Sequence, residues 1–178
     1  MQRMPFTEDA NLSPEALKIV QAANLNVVRI SSHASPRVFE SFVRFGASLA
    51  NSESYSAEVR EVVILRVGHC ARSEYEVFHH ESISRNLGMS EETLKAIANQ
   101  DYSSLKPESA AAAAFTDEIM TKGNCSDETL AAMRKHFGDR GIVDILFIMG
   151  LYATVARMIA VSGIELDKEA LKSLGGSR

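Results

Sequence analysis

Two adjacent histidines and several carboxylates lie in the stretch ARSEYEVFHHESISRNLG, residues 71–88. In a helix over 74–87, Glu76 and His80 stand at positions i and i+4, where side chains are in contact range. An imidazole, with an unperturbed pKa near about 6.5, donates and accepts protons near neutrality, and a neighbouring carboxylate can orient it. This spacing makes Glu76 and His80 candidate catalytic residues.

The apolar residues of this helix indicate which of its faces is buried. With successive residues about 100° apart, Val77 and Leu87 share a narrow stripe with His80, and Glu76 lies on its flank. We therefore expect both titratable side chains to point inward. His79 falls outside the stripe and is expected to meet solvent or a neighbouring subunit.

The same residues also fit a purely structural interpretation. Ser73 and Glu76 form the pattern S-x-x-E, the capping box that satisfies backbone amides at the start of a helix. His80 would then be an imidazole whose hydrogen bonds are satisfied within the core. Taken alone, the stretch favours this interpretation, because helix starts of this kind are common.

The preceding helix adds a third titratable group. Its sequence, SAEVREVVILRVGHC, is apolar nearly all round, and Glu61 shares one side of it with Ile64, beside Gly68, which permits close approach. Desolvation is expected to raise the pKa of Glu61 towards the range where a carboxyl group exchanges protons near neutrality. The alternative is a salt bridge from Glu61 to Arg66 or Arg157.

The pattern along the whole chain is helical. Ser-Pro pairs at 13–14 and 35–36 are typical helix starts, apolar residues recur at spacings of three and four, and no stretch shows a sustained period of two. Connections are short, so we predict an all-α fold in one domain, residues 1–178. The predicted helices span 14–22, 25–33, 36–50, 57–70, 74–87, 91–99, 108–122, 127–137 and 140–162.

Composition and charge narrow the class of protein. The chain has 178 residues, 46% hydrophobic and 24% charged, which suits a globular domain with a substantial core. Its formal net charge is −4, with Lys and Arg scattered along the sequence, which does not favour a nucleic-acid backbone or an anionic membrane as partner. We therefore expect a small-molecule substrate, with neither nucleic acid nor membrane as partner.

The two cysteines and the longest apolar segment indicate in which cellular compartment the protein is found and whether it binds a metal. Cys70 and Cys125 form no C-x-x-C pair, so the sequence indicates no disulfide framework and no zinc site. The residues 141–163 approach the length of a membrane span, but Asp144 and Arg157 oppose insertion. Without a secretory signal pattern at the N-terminus, we expect a cytoplasmic protein that needs no metal and no cofactor.

The segments EVVILRVGHCARSEYEVFHH and LGMSEETLKAI resemble the core of the carboxymuconolactone decarboxylase and alkylhydroperoxidase D superfamily of small all-helical proteins. The resemblance is most specific over residues 57–97, and the closing segment LFIMGLYATVARMIAVSGIEL also fits it. The resemblance implies an alkylhydroperoxidase D-like orthogonal bundle of several helices.

One branch of that superfamily consists of thiol peroxidases. Its motif is a glutamate, eleven further residues and C-x-x-C-x-x-x-H; counted from Glu61, the two cysteine positions hold Ser73 and Glu76, and the histidine position holds His80. A thiol peroxidase needs an attacking thiolate and a resolving thiol, which a serine and a glutamate do not provide. Cys70, one turn upstream, is the remaining redox candidate, although a cysteine on an apolar face is usually inert.

The resemblance to members without these cysteines implies decarboxylase or isomerase chemistry. Loss of CO2 next to a conjugated lactone or carbonyl leaves an enolate-like electron pair, which must be stabilised and then protonated. We expect His80 to donate and accept the proton, Glu76 to orient the imidazole, and Glu61 to relay a proton or donate a hydrogen bond. Ser73 would be a helix cap or a substrate contact.

The last predicted helix carries two further candidate substrate contacts. Tyr152 and Arg157 are expected to line the pocket, with the guanidinium of Arg157 as a clamp for a carboxylate. The resemblance implies that this helix packs in the core and against another subunit, in a homo-oligomer that is a dimer, a trimer or a hexamer.

Three functions remain open from the sequence. The first is a decarboxylase-like or isomerase-like enzyme that performs general acid/base chemistry on a small, anionic, unsaturated or lactone-type compound. The second is a peroxidase-related antioxidant protein that uses Cys70 or Cys125. The third is a helical oligomer that binds a small molecule without catalysis.

Overall fold

The computed structural model of the protein describes residues 2–167. Within that range the chain forms eight α-helices and no β-strand, with short 3₁₀ turns at Asp9–Asn11 and Tyr102–Ser104. The helices are α1 (Pro14–Ala23), α2 (Asn26–Ser31), α3 (Pro36–Ala50), α4 (Ala57–Ala71), α5 (Glu74–Asn86), α6 (Glu91–Ala98), α7 (Pro107–Lys122) and α8 (Asp127–Ser162).

The all-α fold predicted from the sequence is confirmed. The predicted helices are all present, and the break expected after residue 137 takes the form of a kink within α8. Gly138 has φ 59° and ψ 177° there, a backbone conformation that side chains disfavour. The assignment of residues 1–178 to one domain stays a prediction.

Helix α4 lies at the centre of the bundle, where it contacts α5, α6, α7 and α8. Its apolar character on nearly all sides explains this position, because each face meets a neighbouring helix. Two charged residues, Glu61 and Arg66, are buried within it, at 1% and 2% exposure. The other buried residues of α4 are Val59, Val62, Val63, Ile64, Leu65, Val67 and Gly68.

Helix α5 approaches α4 closely at Gly68. A Cβ atom at this position would lie 3.2 Å from Val77 Cγ2 and 3.4 Å from Glu76 Cβ, tighter than ordinary van der Waals contact. Glycine therefore allows the two helices to pack without displacement of α5. This packing places the carboxylate of Glu61 within reach of the α5 side chains.

The buried face of α5 includes Glu76 and His80, as predicted, but its other members differ. Leu87 and Ile83 are 47% and 38% exposed, whereas His79, expected to meet solvent or a neighbouring subunit, is only 8% exposed. This part of the prediction was wrong because the surroundings of α5, rather than its own apolar residues, decide which face is covered. The side that meets α4, α8 and the segment after α8 buries Tyr75, Glu76, His79, His80 and Ser84.

Helix α8 has 36 residues and includes a window with a mean hydropathy of 1.9, long and apolar enough to cross a membrane by length and composition alone. In this structure α8 packs against α4 and α7. Its Asp144 accepts hydrogen bonds from the hydroxyls of Ser52 and Ser54, at 2.8 and 2.7 Å. The bundle buries 33% of that apolar window, and a single helix of this kind is weak evidence for a membrane span. The cytoplasmic location stays a prediction.

Large apolar side chains are exposed on α3 and α8. Phe45 of α3 contacts Phe147 of α8 edge to face, with ring centroids 5.6 Å apart, and the two side chains are 39% and 50% exposed. Extended apolar patches on a surface often mark interaction sites. The patch is compatible with the predicted homo-oligomer, which stays a prediction.

Substitution of Gly68 tests the close approach of α4 and α5. We expect Gly68→Val to lower the free energy of unfolding by about 1–3 kcal/mol, because the added methyl groups overpack the contact with Val77 and Glu76. Gly150 on α8 is the matched control, since it is exposed and a Cβ there meets no atom within 4 Å. Gly150→Val should change stability by less than about 0.5 kcal/mol in urea denaturation. Equal effects of the two substitutions would contradict the packing described.

Candidate active site

His80 and Glu61 form a buried hydrogen-bonded pair between α5 and α4. His80 Nδ1 lies 2.7 Å from Glu61 Oε2, and the two residues are 8% and 1% exposed. The other carboxylate oxygen of Glu61, Oε1, accepts a hydrogen bond from Arg60 Nε at 2.9 Å. Both oxygens of the buried carboxylate are thus paired, which offsets its loss of hydration.

The pKa of Glu61 differs from the expectation based on its burial. Desolvation works to raise this pKa, but the hydrogen bond and charge of His80, together with those of Arg60, lower it below the ordinary value. The prediction of a raised pKa was therefore wrong, because the sequence did not indicate that two donors would meet this carboxyl group. Glu61 is an ionised acceptor, so His80 carries its hydrogen on Nδ1 and keeps Nε2 as the nitrogen available for proton transfer.

Glu76 is the second buried carboxyl group beside His80. Its Oε2 lies 3.7 Å from His80 Nε2, too far for a hydrogen bond, and this buried oxygen has no hydrogen-bond partner. Burial raises the pKa of Glu76, and the charge of His80 counters this only in part. The residue that holds the imidazole is thus Glu61 and not Glu76 as predicted, whereas Glu76 is the carboxyl group whose pKa is raised.

Of the two hydrogen bonds of a capping box, only the one from the Glu76 backbone N–H to the Ser73 hydroxyl is present. Ser73 Oγ accepts a hydrogen bond from the Glu76 backbone N–H at 3.5 Å, as an N-cap does. The N–H of Ser73, however, donates to the carbonyl of Gly68 at 2.9 Å. The Glu76 carboxyl group is therefore not engaged as a cap and faces His80 instead.

A cavity of about 310 Å³ opens next to Glu76 and His80. Both residues line it, whereas Glu61 lies behind His80 and supports it from α4. Tyr75, His79, Ser31 and Tyr152 supply its other polar groups. The remaining walls are apolar or glycine and consist of Leu25, Val27, Val28, Phe42, Val43, Gly46, Ala47, Ile83, Leu151 and Val155.

Tyr152 of α8 is brought to the site, as the sequence predicted. Its ring meets the His80 ring edge to face, with centroids 5.0 Å apart and an interplanar angle of 88°. Burial, followed by the negative charges of Glu76 and Glu61, raises the pKa of Tyr152. The phenol therefore stays protonated and can donate a hydrogen bond towards the cavity.

Two predicted substrate contacts lie elsewhere. Ser73 lines a neighbouring cavity of about 510 Å³ rather than the one beside His80. Arg157 is exposed, with its Nη1 atom 3.4 Å from the Ala153 carbonyl of its own helix. Because Arg157 points away from the bundle in this structure, it does not act as the predicted carboxylate clamp within this chain.

Cys70 belongs to a separate polar cluster around Asp117 of α7. Its Sγ donates to Asp117 Oδ1 at 3.6 Å, and Arg66 Nε donates to the same oxygen at 2.8 Å. Burial raises the pKa of the Cys70 thiol; the charge of Arg66 lowers it, while Asp117 raises it further. The thiolate form needed for redox chemistry is thus disfavoured.

A second histidine, His79, lines the cavity, although the sequence analysis did not predict it as a site residue. His79 Nε2 lies 3.3 Å from Asp167 Oδ2, without the angles of a hydrogen bond, and the Tyr75 hydroxyl donates to the same oxygen. Burial lowers the pKa of His79, although the charge of Asp167 opposes the shift. No local pattern could have indicated this cluster, because Asp167 stands more than 80 residues away from His79.

The side chains of residues 2–167 include no group of three or more His, Cys, Asp or Glu placed to hold a metal ion. The expectation of an enzyme without metal and cofactor stays a prediction. The chemistry that this site can perform with its own groups is proton transfer, by an imidazole between a carboxyl group with a lowered pKa, Glu61, and one with a raised pKa, Glu76.

Comparisons with known proteins agree with this fold. Residues 36–118 match the model of the carboxymuconolactone decarboxylase family. The structure is similar to that of an uncharacterised peroxidase-related protein with an alkylhydroperoxidase AhpD core from Ralstonia eutropha JMP134. The TM-score is 0.80 at 20% identity, over 96% of this chain and 94% of that one.

A second solved structure is also similar. It is a protein of unknown function from Agrobacterium tumefaciens, considered for a role as an antioxidant defence protein AhpD. The TM-score is 0.68 at 20% identity, over 75% of this chain and 93% of that one. No functionally curated protein matches the chain. The family match covers slightly less than half of the chain and spans the helices that carry Glu61, Glu76 and His80, and the structural similarity shows that the chain has an AhpD-like fold.

Proposed function

We propose that the protein is an enzyme that performs general acid/base chemistry, a decarboxylation or an isomerisation, on a small molecule bound in the 310 Å³ cavity. The observation that carries the proposal is the buried row of Glu61, His80 and Glu76. An imidazole held by an ionised carboxylate, next to an acid with a raised pKa, is the arrangement that proton-transfer enzymes use near neutral pH.

Each group has a distinct role in this proposal. Glu61 accepts the hydrogen bond from His80 Nδ1 and stabilises the imidazolium formed when Nε2 takes a proton. Glu76, when protonated, donates a hydrogen bond to the oxygen on which negative charge develops, and the phenol of Tyr152 is a second donor. The imidazolium then returns its proton to a carbon atom of the product.

A thiol peroxidase is the weaker proposal for this chain. Both cysteine positions of the peroxidase motif are occupied by Ser73 and Glu76. Cys70 is half buried, donates to Asp117 and has a raised pKa. A third proposal, ligand binding without catalysis, leaves the opposite pKa directions of Glu61 and Glu76 without a function.

Proton transfer by His80 is testable before the substrate is known. We expect the protein to catalyse deuterium incorporation from D2O into at least one member of a panel of small ketones, lactones and unsaturated carboxylates, followed by NMR. His80→Gln and Glu61→Gln should each slow this exchange by about 10²–10⁴-fold, because they remove the base and its orienting acceptor. His136→Gln, at an exposed histidine of α8, is the control. Exchange unaffected by His80→Gln would refute the proposed function.

The raised pKa of Glu76 predicts a pH-dependent gain in stability for Glu76→Gln. In the wild-type protein the folded state favours the protonated carboxyl group. The stability that depends on this proton is therefore present at low pH and lost as pH rises through the raised pKa. Glutamine stays neutral, so the variant's melting temperature relative to wild type should increase from pH 4 to pH 8. Glu128→Gln, at an exposed position, should show no such trend. A relative melting temperature that falls over this range would contradict the raised pKa.

The role of Cys70 separates the acid/base proposal from the peroxidase proposal. We expect Cys70→Ala to leave the deuterium exchange unchanged within about twofold, since the thiol lies in the Asp117 cluster and not in the cavity. Reduction of cumene hydroperoxide in the presence of dithiothreitol, measured in parallel, should be the same for wild type and Cys70→Ala. Peroxide reduction that disappears with Cys70 would instead support the antioxidant function.

A further inference from the structure

Most polar groups of the cavity come from α5, namely Tyr75, Glu76, His79 and His80. Tyr152 of α8 lies against the His80 ring, and the hydroxyl of Ser31 in α2 already donates to the Val28 carbonyl. The other residues that α2, α3 and α8 contribute to the walls are apolar or glycine. A ligand that fills this space therefore places one polar end against α5 and buries the rest of its surface against hydrocarbon.

Among residues 2–167, no Lys or Arg lines the cavity to pair with a carboxylate ligand. His79, the second histidine in its lining, already faces Asp167 at 3.3 Å. Arg60, behind His80, already donates to Glu61 and to the Ala50 carbonyl at 2.8 Å, and Arg157 is exposed. When His80 is charged, Glu61 neutralises it at 2.7 Å. A carboxylate in the cavity would therefore lose its hydration without gaining a free counter-ion.

We propose that the substrate is an uncharged, largely apolar carbonyl compound, and not the anionic compound expected from the sequence. This inference rests on the proposed acid/base function and specifies its substrate class. The cavity volume of about 310 Å³ is at the lower end of the range for ligand sites, roughly 300–1,000 Å³. A single ring with short substituents and one ketone or lactone carbonyl fits that volume and that distribution of polar groups.

The substrate class also selects between the two reactions. An uncharged compound has no carboxylate to lose as CO2, so the reaction is a shift of a carbon–carbon double bond relative to the carbonyl group. His80 Nε2 removes a proton from the carbon between the carbonyl and the double bond, and the electron pair moves onto the carbonyl oxygen, which accepts a hydrogen bond from Glu76. The enolate then takes the same proton at the far carbon, and the double bond becomes conjugated. Product and substrate have the same atoms and electrons.

A matched pair of probes tests the charge preference. Acetophenone and benzoate have similar size and shape, but only benzoate is charged at pH 8. Binding to the full-length protein is measured by titration in protein NMR spectra. We expect acetophenone to bind at least about tenfold more tightly than benzoate, because the buried carboxylate would lack a counter-ion. Equal or tighter binding of benzoate, or no binding of acetophenone up to its solubility, would overturn the proposed substrate class.

A variant that fills the cavity tests the location. Gly46 lines the cavity, and a Cβ there would make only an ordinary contact, 3.5 Å from Leu151 Cδ2. We expect Gly46→Leu to weaken acetophenone binding more than about tenfold, whereas Gly150→Leu, on the exposed side of α8, leaves it unchanged. Nuclear Overhauser effects from the acetophenone methyl group to the Leu151 and Val155 methyl groups of the wild-type protein give the same information without a substitution. The location of acetophenone in this cavity would be refuted if Gly46→Leu bound it as tightly as the wild-type protein. It would also be refuted if the nuclear Overhauser effects reached only residues outside the cavity.

These outcomes separate the substrate class from the proposed function. If the protein binds benzoate more tightly than acetophenone, only the proposed substrate class is refuted, since deuterium exchange that depends on His80 can still occur with a charged compound. Conversely, deuterium exchange that is insensitive to His80→Gln refutes the proposed acid/base function, whichever probe binds in the cavity.

Discussion

The hydrogen bond between Glu61 and His80 links the central helix α4 to α5 inside the protein, and the geometry of the site depends on it. A carboxylate at 1% exposure is stable only when its oxygens are paired. Here Arg60 takes one oxygen and His80 the other. The approach of the helices at Gly68 makes this bond possible, because a larger residue would move α5 and its imidazole away from α4.

Two carboxyl groups on either side of one imidazole acquire opposite properties from their surroundings. Glu61 meets two donors, which lower its pKa despite burial, whereas Glu76 meets none within hydrogen-bonding distance and has a raised pKa. Enzymes commonly separate acid from base in this way, with chemically similar side chains in different environments. The pKa values differ because Glu61 hydrogen-bonds to His80 at 2.7 Å and to Arg60, whereas Glu76 lies 3.7 Å from His80 and its desolvation is offset only in part.

The match of residues 36–118 to the carboxymuconolactone decarboxylase family and the AhpD-like fold restrict the chemistry only loosely, since one fold supports several functions. What is particular to this chain is the content of its site. A serine and a glutamate replace the two thiols of the peroxidase motif, and the only nearby thiol, that of Cys70, is held by Asp117 among the described residues. Apart from α5, Tyr152 and Ser31, the cavity walls carry no polar side chain among the described residues, which restricts the molecules that can bind there.

The sequence by itself determined the helices, the central place of the titratable residues and the candidates Glu61, Glu76, His80 and Tyr152. Helix starts, glycine stops and the spacing of apolar residues are local signals, readable along one segment. Only the tertiary structure decided the buried face of α5, the inclusion of His79 and the exclusion of Arg157 from the cavity. It also decided that the pKa of Glu61 is lowered and that of Glu76 raised. Such properties depend on partners from distant segments, such as Asp167 beside His79, because burial and pKa reflect the sum of surrounding groups rather than the neighbours in the chain.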